Sequence, residues 1–370
     1  MNGEIIFIRL TDVGRTINLR ELSSIFPSIQ DKRIIKTKDT PSYVDFPKPI
    51  VMELKEKVTL KVDFIRDIKI KVKIYEDGVI SLIGRLEFTN LSLGELHNVK
   101  KLKLNTQNGE TNITKLLKFH SSKIYDQIKE FIDETDHNFN ATNYEKYTIF
   151  CLTDKLKDPN EFLERNKSYF AALLMGENPS LNLHQDQVIN TLENSFSFLK
   201  NDLVIFDFDR CLIIDPNCDY EDILLIIEIA NFQLLELRVL DFLLDKRIRI
   251  AEDDINKIYF KSRGIFNRLK KRVGNLLKLR HDLTFLLENI ENVSKLIGDY
   301  YLSQLYTCLA NLFQLKHWSD SIRHRIETLG DIYNIAQTNI NEKFLLYVEI
   351  LLSFVFIMEF VFLILDYFKK

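Results

Sequence analysis

The sequence predicts an α+β fold, with an N-terminal mixed α/β head that contains an antiparallel sheet, a long helical region and one C-terminal transmembrane helix. Three observations predict it. Runs that alternate apolar and polar residues fall within residues 1–215, helical patterns fill the chain after Pro216, and a run of 22 residues near the end is almost entirely apolar. With 46% hydrophobic and 28% charged residues and only 11 Gly and 7 Pro, the composition is that of a folded, helix-rich chain.

The head domain, residues 1–215, takes its sheet from the alternating runs. Asp77 and Gly78 stand between two such runs and indicate a hairpin. Because lysines alternate with apolar residues in 68–75, we expect one face of this sheet to meet water. Strands are expected at 58–65, 68–75, 79–83, 147–152 and 203–208, and helices at about 91–104, 113–134, 159–175 and 184–199.

Residues 216–341 are predicted to form a helical bundle or coiled-coil stalk. Residues 220–244 are apolar on most of their circumference but carry too many polar groups for a membrane span, so they predict a helix buried by other helices. Further on, apolar residues recur at alternating steps of four and three, a heptad seam that needs a partner helix. The seam predicts a homo-oligomer, with docking on helices 220–244 and 276–296 of the same chain as the alternative. Its members are Ile322, Ile326, Leu329, Tyr333, Ala336 and Ile340.

The last segment, residues 342–370, is predicted to hold the transmembrane helix. As a helix, residues 344–365 rise about 33 Å, enough for a hydrocarbon core about 30 Å thick. Glu349 and Glu359 oppose insertion and are therefore candidate functional carboxylates. One interpretation places Glu349 in the headgroup region and a protonated Glu359 in a helix–helix interface; the other lines an ion path in an oligomer.

The cysteine content and the N-terminus predict the compartment. Four scattered cysteines without a CxxC pair indicate neither a disulfide framework nor a zinc site, and the first residues lack the pattern of a signal peptide. We therefore expect a single-pass membrane protein with a cytoplasmic N-terminal domain and the lipid bilayer as partner of residues 344–365. No metal and no cofactor are predicted.

The segment 203–214 carries the most suggestive catalytic pattern. Asp207 and Asp209 have the spacing of the nucleophile and general acid of haloacid-dehalogenase-type phosphatases at a strand end. Such enzymes need further strands that carry a Lys and more acids, whereas only helical patterns follow here. The favoured interpretation is a sheet strand that enters a polar turn, so no catalytic residue is predicted.

Charge is strongly segregated in the helical region. Residues 207–245 carry a net charge of −8 and residues 246–281 a net charge of +9. A basic block of this kind can bind anionic lipid or RNA, but pairing between adjacent helices of opposite charge is the favoured interpretation. The block within 268–280 consists of Arg268, Lys270, Lys271, Arg272, Lys278 and Arg280.

Several motifs of the C-terminal half occur together in one known family. They include Arg325–Asp331, the pair Glu349 and Glu359 ten residues apart, and residues 296–301 and 234–241. In these motifs the chain resembles prokaryotic-type members of the membrane-anchored family named for being required for meiotic nuclear division. The resemblance implies a membrane-anchored oligomer and no agreed catalytic residues.

These observations predict a non-enzymatic, membrane-anchored, oligomeric scaffold or interaction protein. The alternative is an ion channel or transporter with the architecture of CorA-type magnesium channels, although the Gly-Met-Asn tripeptide of those channels is absent from the sequence. A phosphatase that uses Asp207 and Asp209 is the least favoured hypothesis.

Overall fold

A computed structural model describes residues 1–26, 49–54, 59–60, 65–98, 103–106, 109–133, 143–179, 181–260, 297 and 299–367. Within these residues the predicted α+β class is confirmed. The strands are β1 (Gly3–Asp12), β2 (Thr16–Ile17), β3 (Ile50–Leu54), β4 (Thr59–Leu60), β5 (Ile65–Ile74), β6 (Val79–Phe88), β7 (Leu104–Thr106), β8 (Gly109–Thr111), β9 (Ile132–Asp133), β10 (Tyr144–Leu152), β11 (Ser195–Phe196), β12 (Leu203–Phe206) and β13 (Arg210–Ile214). The helices are α1 (Leu19–Ile25), α2 (Leu93–Leu96), α3 (Ile113–Ile128), α4 (Pro159–Arg165), α5 (Lys167–Met175), α6 (Gln185–Leu192), α7 (Glu221–Phe260), α8 (Tyr300–Leu312) and α9 (Leu315–Tyr367), with a 3₁₀ turn at Lys129–Phe131.

The chain forms two compact units, and their limits differ from those of the three predicted segments. The first unit contains Met1–Val239 and Asn289–Trp318, and the second contains Leu240–Glu288 and Ser319–Lys370. The first part of α7 therefore belongs with the sheet rather than with a separate stalk. The physical reason is that α7 buries side chains on one face of the sheet, Lys73 among them.

Eight strands of the first unit form one sheet in the order β11-β12-β13-β10-β1-β6-β5-β3. All neighbouring pairs are antiparallel except β10 and β13, which run parallel. The central strand β1 pairs along its length with β10 and β6, so that Ile8 lies between Tyr147 and Ile83. Every residue of β1 after Gly3 is buried, which removes the alternation by which a strand is recognised in sequence.

The hairpin predicted at Asp77 and Gly78 is confirmed as the connection between β5 and β6. Ile74 lies opposite Ile80, and the amide of Tyr75 donates to the carbonyl of Val79 at 2.9 Å. Gly78 has a φ of +80°, and a Cβ there would lie 1.8 Å from the carbonyl oxygen of Gly14. Only glycine fits this turn.

One face of the sheet packs against α3, α5 and the neighbouring loops. Leu117 of α3 and Phe170 of α5 share a buried core with Phe7 and Val72 of the sheet. A Cβ at Gly84 would lie 3.3 Å from Leu117, so α3 approaches β6 closely at this point.

Three predicted helices are wrong in their extent. The helix expected at 113–134 ends at Ile128, ahead of β9. In place of the helix expected at 91–104, α2 is a single turn with a capping box at Ser92, and β7 follows. The helix expected at 184–199 ends at Leu192, because Ser195 and Phe196 pair with β12. For the helices expected at 91–104 and 184–199, pairing with a neighbouring strand overrides local helical preference.

The other face of the sheet is covered where Lys73 lies, so the prediction that this face meets water is wrong there. It holds at Lys69 of the same strand, whose side chain is 68% exposed. Lys73 and Ser81, whose side chains share this face with Tyr75, are buried, because all three make hydrogen bonds to Glu228 of α7. Further along α7, Gln233 accepts a hydrogen bond from Tyr306 of α8 at 2.8 Å. Helix α7 is thus the main cover of the second face.

In the second unit, α9 runs beside α7, whose residues from Leu240 belong to this unit. Arg325 makes ion pairs with Asp241 at 3.0 Å and with Asp245 at 3.3 Å. The first four members of the predicted seam are buried within the single chain, so covering them needs no second copy. The side chains of Ala336 and Ile340 lie outside the described residues, as do residues 276–296 and the basic block at 268–280. The homo-oligomer stays a prediction.

Candidate functional site

The most unusual surface of the molecule is the C-terminal part of α9. Residues Phe344–Leu365 form a helix of 22 residues with a mean hydropathy of 2.6, none of it buried. Its aromatic and aliphatic side chains are exposed on every side, as Phe344 at 65% and Leu363 at 68% illustrate. Water is a poor solvent for such a surface, and a lipid bilayer is a good one.

Glu349 and Glu359 lie on this helix, as the sequence predicted. Both are exposed, and they are separated by about 15 Å along the helix axis. Within the described part of the chain, neither has a hydrogen bond or ion pair. The rest of the described chain therefore supplies no hydrogen-bond or ion-pair partner for these two carboxyl groups of an apolar helix.

Asp207 and Asp209 occupy a tight turn between β12 and β13. The amide of Asp207 donates to the carbonyl of Arg210 at 2.8 Å, and Tyr147 Oη lies 2.8 Å from the carbonyl oxygens of both these residues. Burial raises the pKa of the Asp207 carboxyl above its ordinary value. After this turn the chain returns at once as the antiparallel strand β13, and α7 is the next element along the chain.

Arg210 is used to hold neighbouring backbone in place. Its Nη1 donates to the carbonyl of Leu173 near the end of α5 at 2.8 Å, and its Nε lies 3.5 Å from Asp209 Oδ1. Gly176 makes room for it, because a Cβ there would lie 1.9 Å from the guanidinium. The guanidinium thus holds the C-terminal end of α5. It also lines a surface cavity of about 280 Å³, together with His97 and Asn178.

A buried carboxylate that sequence reasoning did not identify as a site lies between the sheet and α7. Glu228 Oε2 accepts a hydrogen bond from Lys73 Nζ at 2.6 Å, while Oε1 accepts one from Ser81 at 2.6 Å and one from Tyr75 at 3.1 Å. The signal in the sequence is an acid flanked on both sides by apolar residues, since Glu228 follows Ile227 and precedes Ile229. Its partners are 147 to 155 residues away in the chain, so no local pattern connects them.

A second polar contact fixes the start of α7. Arg85 makes ion pairs with Glu221 at 2.6 Å and with Glu4 at 3.4 Å, and Tyr220 donates to Glu4 at 2.7 Å. Arg238 pairs with Glu145 further along the helix. These contacts orient α7 on the sheet, and each charged side chain in them has a partner of opposite charge.

Three further acids lie near one another where β1, the β5–β6 hairpin and α7 meet. Burial raises the pKa of Asp12 to about 7 and that of Glu236 well above its usual range, and it also raises the pKa of Asp77. The charges of Asp12 and Asp77 add to the effect on Glu236. No group of three His, Cys, Asp or Glu side chains in the described ranges has the arrangement of a metal site.

Two surface cavities flank α8. An open groove of about 680 Å³ is lined mainly by amide and hydroxyl side chains, among them Asn194, Ser303 and Thr307. A smaller cavity of about 250 Å³ is lined by several aspartates. The carboxylates of Asp202 and Asp215 accept backbone amides of their own loops at 2.8 Å, so these acids stabilise turns.

Comparisons with known proteins identify similarity in the N-terminal part. Residues 2–221 match the family described as "Uncharacterized protein MJ0711, N-terminal domain", which is more than half of the chain. The uncharacterized protein MJ0711 of Methanocaldococcus jannaschii is 27% identical over 282 residues, which cover 76% of this chain and 77% of that protein. No solved structure matches the chain.

The expected kinship with the meiotic nuclear division family is wrong, because the matching family is a different one. That resemblance depended mainly on short motifs of the C-terminal half, Arg325–Asp331 and the two glutamates, which lie outside residues 2–221. It extended to the strand at 203–214 and, more loosely, to residues 9–14 and 74–79, and these lie within the matched segment. Apolar helices with an occasional acid arise in unrelated membrane proteins, so the motifs had little power to discriminate.

Proposed function

The chain belongs to the family of the MJ0711 N-terminal domain, and from the apolar helix we propose that it is a membrane-anchored, non-enzymatic scaffold. In this proposal Phe344–Leu365 crosses a bilayer and tethers the sheet-containing unit to it. The observation that carries the proposal is a helix of membrane-spanning length that is apolar on all sides and fully exposed.

Length and composition support insertion. As a helix the segment rises about 33 Å, against about 30 Å of hydrocarbon. Its 17 Leu, Ile, Phe and Val residues each favour insertion by about 0.3–0.6 kcal/mol near the centre of the bilayer. An acid near the centre opposes insertion by about 2.5–3.5 kcal/mol. With Glu349 and Glu359 together the two contributions are of similar size, so a hydrogen-bonding partner for these carboxyl groups in the bilayer favours insertion.

The cysteines support a cytoplasmic location for the N-terminal unit. All four are free thiols, and Cys218 is exposed. An exposed thiol persists as such in a reducing compartment, whereas an oxidising one converts it to a disulfide or to a higher oxidation state. A single-pass topology with this unit in the cytoplasm follows as part of the proposal.

Two features support a scaffold rather than an enzyme. Charged groups on the second face of the sheet are paired with acids of α7, Lys73 with Glu228 and Arg85 with Glu221. Large apolar side chains stand on the surface near β11 and α8, where Phe198 is 67% and Tyr300 78% exposed. Exposed aromatic residues of this kind are typical of protein contact surfaces.

Membrane fractionation tests the proposal. The full-length chain should remain with membranes after an alkaline carbonate wash and float with them on a density gradient, whereas a chain that ends at Asn341 should be soluble. As a matched control, a leucine helix of equal length in place of Phe344–Leu365 should restore flotation. Recovery of the full-length chain as a monodisperse species from a detergent-free soluble fraction would overturn the proposal.

An ion channel or transporter remains the second hypothesis, because Glu349 and Glu359 lie deep in the apolar helix. Reconstitution in vesicles that contain a cation-sensitive dye discriminates between the two. The scaffold predicts no flux above that of empty vesicles. Flux that Glu349→Gln and Glu359→Gln abolish would favour the channel instead.

A further inference from the structure

We propose that two copies of the chain pair in parallel within the bilayer, through one stripe of Phe344–Leu365 that contains both glutamates. The inference rests on the proposed membrane anchoring and adds a partner to it. The partner is a second copy of the same helix, and the contact is made by six residues of each copy. They are Leu345, Glu349, Leu352, Phe356, Glu359 and Leu363.

The spacing of these six residues defines the stripe. They follow one another at steps of 4, 3, 4, 3 and 4, the heptad spacing of residues that meet between two paired helices. Ten residues, the separation of Glu349 and Glu359, are one heptad plus three, which turns the helix by about 80° from the first to the second. The two carboxyl groups thus share one narrow face with Leu and Phe, and all six side chains are exposed.

The carboxyl groups need a partner inside the hydrocarbon. Glu349 follows the start of the apolar segment by five residues and Glu359 precedes its end by six, so each lies about 8 Å from the nearer end. The segment contains no Lys, Arg, His, Asn or Gln. It is the one candidate membrane span among the described residues, so none of them supplies a partner inside the hydrocarbon, whereas a second copy of the helix can.

A second copy in parallel orientation satisfies both carboxyl groups at once. All copies of a single-pass chain cross the membrane in the same direction, so Glu349 meets Glu349 and Glu359 meets Glu359 at equal depth. Two protonated carboxyl groups can each donate one hydrogen bond to the other, and such contacts stabilise helix pairs in membranes. No basic residue is required.

The rest of α9 leaves this face available. At about 100° per residue, Leu329 and Tyr333 point about 160° and 120° away from the centre of the stripe. These two side chains are buried within the single chain. The stripe therefore lies on a side of α9 other than the side that the chain itself covers.

Cysteine cross-linking of the full-length chain in phosphatidylcholine vesicles tests the stripe. With Cys218 and Cys308 changed to serine, Leu352→Cys lies on the stripe and Phe354→Cys about 180° from its centre. On oxidation, Leu352→Cys should give covalent dimers at least tenfold faster than Phe354→Cys. Equal rates would mean random collision, and they would overturn the proposal.

Substitution of the glutamates tests their role in the same vesicles. Energy transfer between labelled copies should show association weakened by about threefold to thirtyfold in Glu349→Leu with Glu359→Leu, the factor expected for loss of interhelical hydrogen bonds. The matched double glutamine variant, which can still donate and accept, should associate like the wild type.

Flotation of the same vesicles separates failure of this inference from failure of the anchor. A chain that floats but gives neither cross-linking nor energy transfer is anchored without self-association, either alone or with a different partner, which overturns the pairing only. A chain that does not float overturns both.

Discussion

Glu228 is the residue on which the contact between α7 and the sheet depends most. Its amide analogue can still accept from Tyr75 and Ser81 through Oε1, but its NH₂ group then faces the Lys73 ammonium. Breaking a buried ion pair in this way costs about 3–5 kcal/mol. We expect Glu228→Gln to lower the free energy of unfolding by that amount, measured by urea titration of the detergent-solubilised chain.

The Lys73→Met variant provides the control for this experiment. When methionine replaces Lys73, the NH₂ group of the glutamine at position 228 no longer faces a second hydrogen-bond donor. The cost of Glu228→Gln should then be smaller by at least about 1 kcal/mol, the coupling that a double-mutant cycle measures. Equal costs in both backgrounds would mean that Lys73 and Glu228 do not interact.

The carboxyl group of Asp12 makes stability depend on pH. Its pKa is about 7 in the folded chain because of burial, against 3.8 for an ordinary aspartate, so the folded state binds the proton more tightly. Stability should therefore be highest below about pH 4 with respect to this group and fall as pH rises to about 7. Burial shifts Asp77 and Glu236 in the same direction.

Asp12→Asn should remove part of this dependence. We expect the variant to match the wild type near pH 4 and to be more stable at pH 8, by up to about 4 kcal/mol. Thermal unfolding followed at both pH values measures the difference. If Asp12→Asn lowered the free energy of unfolding equally at both pH values, the Asp12 carboxyl group would be ionised in the folded chain and its charge would stabilise the fold.

At the scale of elements, the β12–β13 hairpin explains why two aspartates with phosphatase spacing need not form a catalytic site. Tyr147 and the backbone hold the turn, and the carboxylates of Asp207 and Asp209 contribute little to it. The double variant Asp207→Asn with Asp209→Asn should fold and fractionate like the wild type, with a change in the free energy of unfolding of about 1 kcal/mol or less at these half-buried positions. Magnesium-dependent hydrolysis of a phosphate ester that the double variant loses would show the hairpin to be catalytic.

Elements were predictable from sequence where one local pattern suffices. The β5–β6 hairpin was, because alternation and Asp77-Gly78 agree. The central strand β1 was not, since burial on both faces leaves no alternation. Lys73 was misjudged as facing water, because its partner Glu228 is 155 residues away and only the folded chain brings them together.

The same contrast applies to the candidate sites. The apolar helix and its two glutamates could be identified from sequence, because the requirement of about 20 apolar residues for a membrane span does not depend on tertiary contacts. The covering of Ile322 and Leu329 within one chain could not, since a heptad seam does not specify whether its partner belongs to the same molecule.

At the scale of the whole molecule, the segment that matches the family lacks the helix α7, which covers one face of its sheet. It ends at residue 221, where α7 begins, while Lys73 and Ser81 are buried in contact with Glu228. We expect a chain that ends at Glu221 to be insoluble on expression, whereas Ser81→Ala in the full-length chain is tolerated. A monodisperse, cooperatively unfolding fragment of residues 1–221 would contradict this.

The central claim is that Phe344–Leu365 crosses a membrane, and thiol labelling from the two sides tests it most directly. Cys218 is exposed in the first unit, and Lys369→Cys adds a thiol beyond the helix. A membrane-impermeant maleimide applied to intact cells should label Lys369→Cys and should reach Cys218 only after the cells are opened. If both thiols react together, whether before or only after opening, the helix does not cross the membrane.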